Sequence, residues 1–201
     1  MFCLKKYWGF TIIFLLIFGA QTNSLAQQPT FTSKLSNAAI SLTKNAVVYD
    51  PTYFKISYPM GDVPTGKGVC TDVVIRAYRK LNIDLQRLVH EDMVLHFNIY
   101  PKRWGLKKTD TNIDHRRVPN LMVFFNRFGK SLPRTLVPTD YHTGDIVCWD
   151  LGGGITHIGI VIENRSKDGK RHLIVHNIGG GQVMEDCLFN WKIIGHYRYG
   201  A

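Results

Sequence analysis

Cysteine is scarce, at four residues in a chain of 201, too few for the cross-linked scaffold of a small secreted protein. The common metal spacings are missing too. No C-x-x-C and no H-E-x-x-H occurs, so neither pattern builds a zinc site from Cys70, Cys148, Cys187, His142, His157, His172, His176 or His196. No glycine-rich stretch has the spacing of a phosphate loop. Gly66-Lys67-Gly68 is too short, and Gly179-Gly180-Gly181 has no helical pattern after it. No metal and no cofactor is therefore expected. Acidic residues are few, 15 against 25 lysines and arginines, for a net charge of +10. There is still no basic block, since Lys107-Lys108 and Arg116-Arg117 are only pairs, and nucleic acid is not expected as a partner. The positive balance suits either an anionic cell envelope or an ordinary solvated surface. With 45% hydrophobic and 20% charged residues, the chain is neither disordered nor collagen-like nor a polytopic membrane protein.

A long apolar run occurs only at the start. Lys5 and Lys6 precede the uncharged segment 8–20, and Ser24-Leu25-Ala26 offers small residues at a cleavage spacing. This is the pattern of a signal peptide over 1–26, followed by a single domain over 27–201. The run is about 13 residues, short of the ~20 that cross a bilayer, so no stable membrane span is expected after cleavage. No cysteine follows Ala26, so no lipid anchor is expected. The expected location is periplasmic or secreted, and the expected state a monomer. Cys70, Cys148 and Cys187 remain after cleavage, and an odd number in an oxidising compartment leaves at least one free thiol.

Periodicity places helices first and strands last. Segment 33–48 puts Leu35, Ala38, Ala39, Leu42 and Ala46 on one helical face. Residues 53–58 have a short strand pattern, and 61–68 read as a loop. A helix over 69–81 follows, then one capped by Asp84 that stops before Pro101. Segment 101–117 is polar and irregular, and Pro119 opens a helix that runs to Gly129. After Gly144 the period shortens to that of strands at 146–149, 156–162, 172–178 and 194–199, with a hairpin turn at 166–170. Strands this close in sequence predict an antiparallel meander, and the order of elements predicts an α+β domain.

The chemistry converges on one cysteine and two histidines. Cys70 falls in the first turn of its helix, where free N–H groups and the helix dipole favour a thiolate. The competing reading is a small buried residue. His157 shares a strand face with Gly159, which leaves room for another group to approach. His176 sits near the end of the next strand, opposite His157 across the hairpin, and could hold one ring nitrogen while the other works. Asn177 is the alternative for that third role, although it points to the opposite face, and His172 lies closer to the turn.

These segments resemble a known group. A cysteine at a helix start, then Gly144-Asp145-Ile146-Val147, then His157-Ile158-Gly159-Ile160-Val161, then a strand ending in His176, is similar to the NlpC-type branch of the papain-like cysteine peptidases. Gly68-Val69-Cys70-Thr71-Asp72-Val73-Val74, Asn112 through Asn120, His176-Asn177-Ile178-Gly179-Gly180-Gly181 and Gly195-His196-Tyr197-Arg198-Tyr199 resemble the YijF-like bacterial family of unknown function related to that branch. The likeness runs over 35–199. Two departures stand out: Val69-Cys70-Thr71-Asp72 replaces the usual Asp-Cys-Ser-Gly, and the insert 84–141 lengthens the gap between cysteine and histidine. The resemblance implies a papain-like fold, with the nucleophile helix packed on an antiparallel sheet. It also implies a secreted cysteine hydrolase that cleaves an amide in peptidoglycan stem peptides. Cys70 would be the nucleophile, His157 the base and His176 its orienter, with the Cys70 N–H as one oxyanion donor. A catalytically inactive envelope-binding module and an amide or acyl transferase are the alternatives.

Asp114, Arg116 and Arg117 are the candidate substrate-binding residues, because stem peptides carry carboxylates that arginine meets bidentately. A solvated loop with local ion pairs is the competing reading. If one disulfide forms, Cys148–Cys187 is the pairing compatible with a free Cys70. Three unpaired buried thiols are favoured over it, because cysteines on core strands usually just pack.

Overall fold

The computed structural model describes residues 1–3 and 28–200; most of the expected signal segment lies outside the described residues. Among those described, no helix is long and apolar enough to cross a membrane. Helix α1 (Phe31–Leu42) starts at Thr30, whose hydroxyl accepts the Ser33 N–H, and buries Leu35, Ala38, Ala39 and Leu42. It stops short of the expected 48, and Val48 belongs instead to strand β1 (Val48–Tyr49). This strand pairs in parallel with β2 (Lys67–Gly68). Two residues are too few to show a period, so the pairing was invisible in the sequence. The strand expected over 53–58 does not form. Its polar groups are taken by side chains: Ile56 N–H donates to Asn112 Oδ1, and the Ser57 carbonyl accepts from the Gln86 amide.

Helix α2 (Cys70–Arg79) follows β2 directly. Helix α3 (Leu85–Leu95) is capped by Asp84, whose carboxylate accepts the Gln86 N–H. Helix α4 (Val118–Phe128) has Pro119 in its first turn. It stops at Gly129, where a Cβ would come within 2.8 Å of the Phe125 and Arg198 carbonyl oxygens.

The main sheet contains β3 (Lys130–Ser131), β4 (Ile146–Asp150), β5 (Thr156–Arg165), β6 (His172–His176), β7 (Val183–Glu185) and β8 (Lys192–Arg198), in the order β3-β8-β4-β5-β6-β7 and antiparallel throughout. The expected meander holds for β4-β5-β6 and extends through β7, which the sequence did not reveal. The last strand then returns to lie beside β4 rather than continuing outward.

Alternation along the strands divides the core in two. Ile146, Cys148, Ile158, Ile160, Ile162 and Val175 pack with the helices, α1 and α2 included. Val147, Trp149, Val161 and Ile174 pack on the other face with Tyr141, Cys187 and Leu188. Each fully buried valine, leucine or isoleucine among them contributes about 1.5–3 kcal/mol. The same division answers the cysteine question. Cys148 and Cys187 belong to opposite faces, and Cys70, Cys148 and Cys187 are all buried and free. The fold is α+β, with the Cys70 helix against an antiparallel sheet and α3 and α4 as the insert between Cys70 and β5.

Candidate active site

Cys70 is held by its preceding loop as much as by its helix. Gly68 is fixed from the sheet side, where Asn177 Nδ2 donates to its carbonyl at 3.1 Å. Val69 is extended and caps the helix, and its N–H donates to Asp72 Oδ2 at 2.7 Å. Asp72 is in turn clamped by Arg116, with Nε at 2.9 Å and Nη2 at 3.0 Å, both side chains nearly inaccessible to solvent. Asp72 is one of the positions where this chain departs from the usual Asp-Cys-Ser-Gly, and here it ties the Cys70 loop to the insert.

Cys70 shares a core cluster with Ile158 of β5, and the N–H groups of Ile158, Thr71 and its own residue act to lower its thiol pKa. Helix start and β5 thus converge on it at Ile158, whose side chain faces the helices. The expected low-pKa thiolate does not form in this resting state. Burial pushes the Cys70 thiol up to about 12, outweighing the N–H donors that oppose it. A helix N-terminus contributes at most about 2 kcal/mol, too little to reverse full desolvation. Burial likewise pushes His157 down to about 3, so thiol and imidazole both rest neutral. In the substrate-free protein, iodoacetamide labelling of Cys70 is expected to rise about tenfold per pH unit from pH 7 to 10, following the thiolate fraction. A plateau below pH 8 would show a pre-formed ion pair instead.

His157 and His176 meet as their shared face requires. His157 Nε2 lies 2.8 Å from His176 Nδ1. Gly159 makes this possible, because a Cβ there would sit 2.6 Å from Ile174 Cγ2 and 3.2 Å from His176 Cβ. Trp149 and Trp191 wall the His157 ring, at 5.7 and 5.9 Å between centroids. Among the described residues, no hydrogen bond joins Cys70 to either histidine. His157 pairs with Trp149 across β4 and β5, so its ring lies on the Trp149 face of the sheet, whereas Cys70 packs with Ile158 on the helix face. Nδ1 is the ring nitrogen that His176 does not hold. Asn177 faces the Cys70 loop and His172 bonds the Ile162 carbonyl, so neither takes the third role.

The sequence missed the group behind His176. Glu185 Oε2, at the end of β7, lies 3.0 Å from His176 Nε2. A carboxylate accepts, so Nε2 carries the proton and Nδ1 accepts from His157 Nε2–H. That leaves the His157 Nδ1 lone pair free. A three-residue strand after a glycine run carries no sequence signal, which is why Glu185 could not be picked out.

A cavity of about 180 Å³ opens beside Cys70, lined in part by Tyr49, Trp104, Arg116, Arg117 and Thr156. A larger one, about 740 Å³, lies around His142, Glu163 and His172, away from Cys70. The insert therefore borders Cys70 through Trp104, Arg116 and Arg117. The three residues expected to bind substrate separate. Arg116 is committed to Asp72. Arg117 lies over the Trp104 ring at 4.4 Å and keeps one buried nitrogen, Nη1, without a partner. Asp114 is a correction. It is fully buried, accepts the Asp110 N–H at 2.7 Å, pairs with His90 at 3.0 Å and does not line the cavity. A carboxylate in a short polar loop looks solvent-facing in sequence; here the loop folds around it. Tyr49 was missed as well. The β1–β2 pairing brings it to Cys70, and burial, then the nearby Cys70 and Asp72, raise its hydroxyl pKa, so it remains a donor.

Residues 36–199 match a family described as a domain of unknown function, DUF1287. An uncharacterized protein of Escherichia coli K12, YijF, is 49% identical over 183 residues, covering 88% of this chain and 89% of that protein. A crystal structure of an N-acetylmuramoyl-L-alanine amidase from Bacteroides uniformis shares the fold, with a TM-score of 0.53 at 13% identity over 83% of this chain and 96% of the other. NlpC2 from Trichomonas vaginalis matches at a TM-score of 0.42 and 16% identity, over 86% of this chain and 50% of that one.

Proposed function

The chain belongs to the DUF1287 family, and we propose that it is a cell-envelope cysteine hydrolase that cleaves an amide bond in peptidoglycan stem peptides. The observation that carries this reading is the convergence at the start of β5. A cysteine on a helix N-terminus packs in one cluster with Ile158, and His157, one residue earlier on the opposite face of β5, is held through its Nε2 by His176. The amidase fold and the signal-type N-terminal segment add support and favour action outside the cytoplasm.

In the proposed reaction, His157, brought within reach of Cys70 from the opposite face of β5 when substrate binds, takes the thiol proton on Nδ1 as sulfur attacks the amide carbonyl. The tetrahedral oxyanion accepts from the Cys70 N–H and the Tyr49 hydroxyl. His157 then protonates the leaving amine, and water hydrolyses the thioester with His157 again as base. Losing one oxyanion donor costs about 10²–10³ in kcat, so Tyr49→Phe should lower kcat by that order with KM nearly unchanged. An unchanged kcat would remove Tyr49 from the oxyanion site. Arg117, with its unpartnered Nη1, is the group for a stem-peptide carboxylate. Arg117→Ala should raise KM about 10–100-fold, the value of a charged hydrogen bond of about 1.5–3 kcal/mol. Unchanged kinetics would assign Arg117 to structure.

The deciding experiment is mass spectrometry of purified muropeptides before and after incubation with the protein. A new pair of fragments differing from the substrate by one water supports hydrolysis. One observation favours the alternative, a binding module without turnover: the Cys70 thiol rests neutral and buried. Muropeptide retention with no cleavage would decide for that module.

A further inference from the structure

Behind the proposed catalytic pair lies a second constellation. His176 Nε2, Glu185 and Cys187 each offer a ligand atom, and these atoms all lie within 4.8 Å of one another. His176 Nε2 is 3.0 Å from Glu185 Oε2 and 3.6 Å from Cys187 Sγ. One nitrogen, one oxygen and one sulfur at such spacing come close to three corners of a tetrahedron. With bonds of about 2.0–2.3 Å to zinc, neighbouring ligand atoms stand about 3.4–3.6 Å apart; the His176–Cys187 spacing already fits, and the Glu185 oxygen must move a few tenths of an ångström away from His176 Nε2 and settle at that spacing from Cys187 Sγ, from which it lies within 4.8 Å. Glu185 is the residue free to move: its side chain is half exposed, whereas His176 and Cys187 are buried. The exposed carboxylate offers an entry path, and the buried pair offers fixed anchors.

We infer that His176, Glu185 and Cys187 form a site for a zinc-class divalent cation, and that filling it turns hydrolysis off. The second half rests on the hydrolase reading above; the first half does not. On binding, Cys187 releases its thiol proton to solvent, and His176 Nε2 gives up its hydrogen bond to Glu185 to become a ligand. The proton of the neutral His176 ring must then sit on Nδ1, where it donates to His157 Nε2. The His157 proton is thereby forced onto Nδ1, the nitrogen that has to accept from Cys70. With Glu185 as partner the chain of hydrogen bonds runs one way and leaves a base; with the cation it runs the other way and leaves a donor.

Binding is tested first, without any substrate. Zn²⁺ is titrated calorimetrically into the full-length protein, and Co²⁺ is added as a coloured stand-in whose thiolate charge-transfer band reports sulfur ligation. One equivalent should bind, with the cobalt–thiolate band present in the wild type and in Cys70→Ala but absent in Cys187→Ala. Cys187→Ala and the half-exposed Glu185→Gln should each weaken Zn²⁺ by at least the roughly tenfold that even outer-sphere losses cost. A cobalt–thiolate band lost in Cys70→Ala, or Zn²⁺ affinity unchanged in both Cys187→Ala and Glu185→Gln, overturns the site. Activity is tested second. Zn²⁺ at the titrated stoichiometry should stop muropeptide cleavage by the wild type, while Cys187→Ala keeps its basal turnover and escapes. Binding at this site without inhibition overturns the switch and leaves the hydrolase reading intact. Absence of cleavage in every form overturns the hydrolase reading and leaves the binding result standing.

Discussion

Cys70→Ala should reduce kcat on the cleaved muropeptide by about 10⁴–10⁶-fold, the scale on which a lone nucleophile is lost in triad enzymes. Its thermal midpoint should move by only a few degrees, since one small buried side chain replaces another. His157→Ala should fall to nearly the same floor, and the double variant no lower, because nucleophile and base act as one unit. The neutral resting state of both groups makes this comparison informative. Burial holds Cys70 near 12 and His157 near 3, so neither residue is reactive without the other and a bound substrate. Cleavage within tenfold of wild type by Cys70→Ala would end the cysteine-hydrolase reading. If Cys70→Ala still retains muropeptides while cleaving none, the loss lies in chemistry rather than binding.

Asp72→Ala should destabilise the protein by about 3–5 kcal/mol, the cost of leaving one member of a buried ion pair without its partner. For a domain of this size that is a fall of roughly 6–20 °C in the thermal midpoint. Arg116 would keep its charge in a nearly inaccessible site, and the Val69 N–H would lose its acceptor at the helix cap. Arg116→Ala should cost a similar amount, so its effect falls on folding before it falls on KM, unlike that of Arg117. The double change Asp72→Leu with Arg116→Met should recover part of the loss, because matched apolar groups remove both buried charges together. A midpoint within two degrees of wild type in Asp72→Ala would mean that water reaches Arg116 and the clamp is dispensable. Denaturant unfolding with an unchanged m-value is the check that stability, not compactness, has moved.

Much of the scaffold could be read from local pattern. The 3.6-residue spacing marked the apolar face of α1, Asp84 marked the cap of α3, and Pro119 with Gly129 marked the ends of α4. Alternation along β5 put His157 beside Gly159, and the turn at 166–170 set the hairpin that carries His176 to it. These readings held because each depends on residues within one or two turns of the chain. Those that failed depended on distant partners. The segment 53–58 alternates like a strand but finds side chains of the insert in place of a sheet edge. Asp114 has the composition of a solvated loop but is enclosed by it.

The chain by itself determined the kinds of chemistry available: a thiol at a helix start, two imidazoles on one face of a hairpin, and an arginine pair between them in sequence. Its tertiary structure alone decided their states and roles. Whether a helix-terminal thiol ionises depends on how much water remains around it, and that is a property of the packed neighbourhood, not of the helix. Whether an arginine binds substrate or clamps a loop depends on which carboxylate reaches it first; for Arg116 that is Asp72, forty-four residues away. Glu185 and Tyr49 entered the site through strands of three and two residues, too short for any period to show, because their positions are fixed by hydrogen bonds to remote partners rather than by neighbours in the chain.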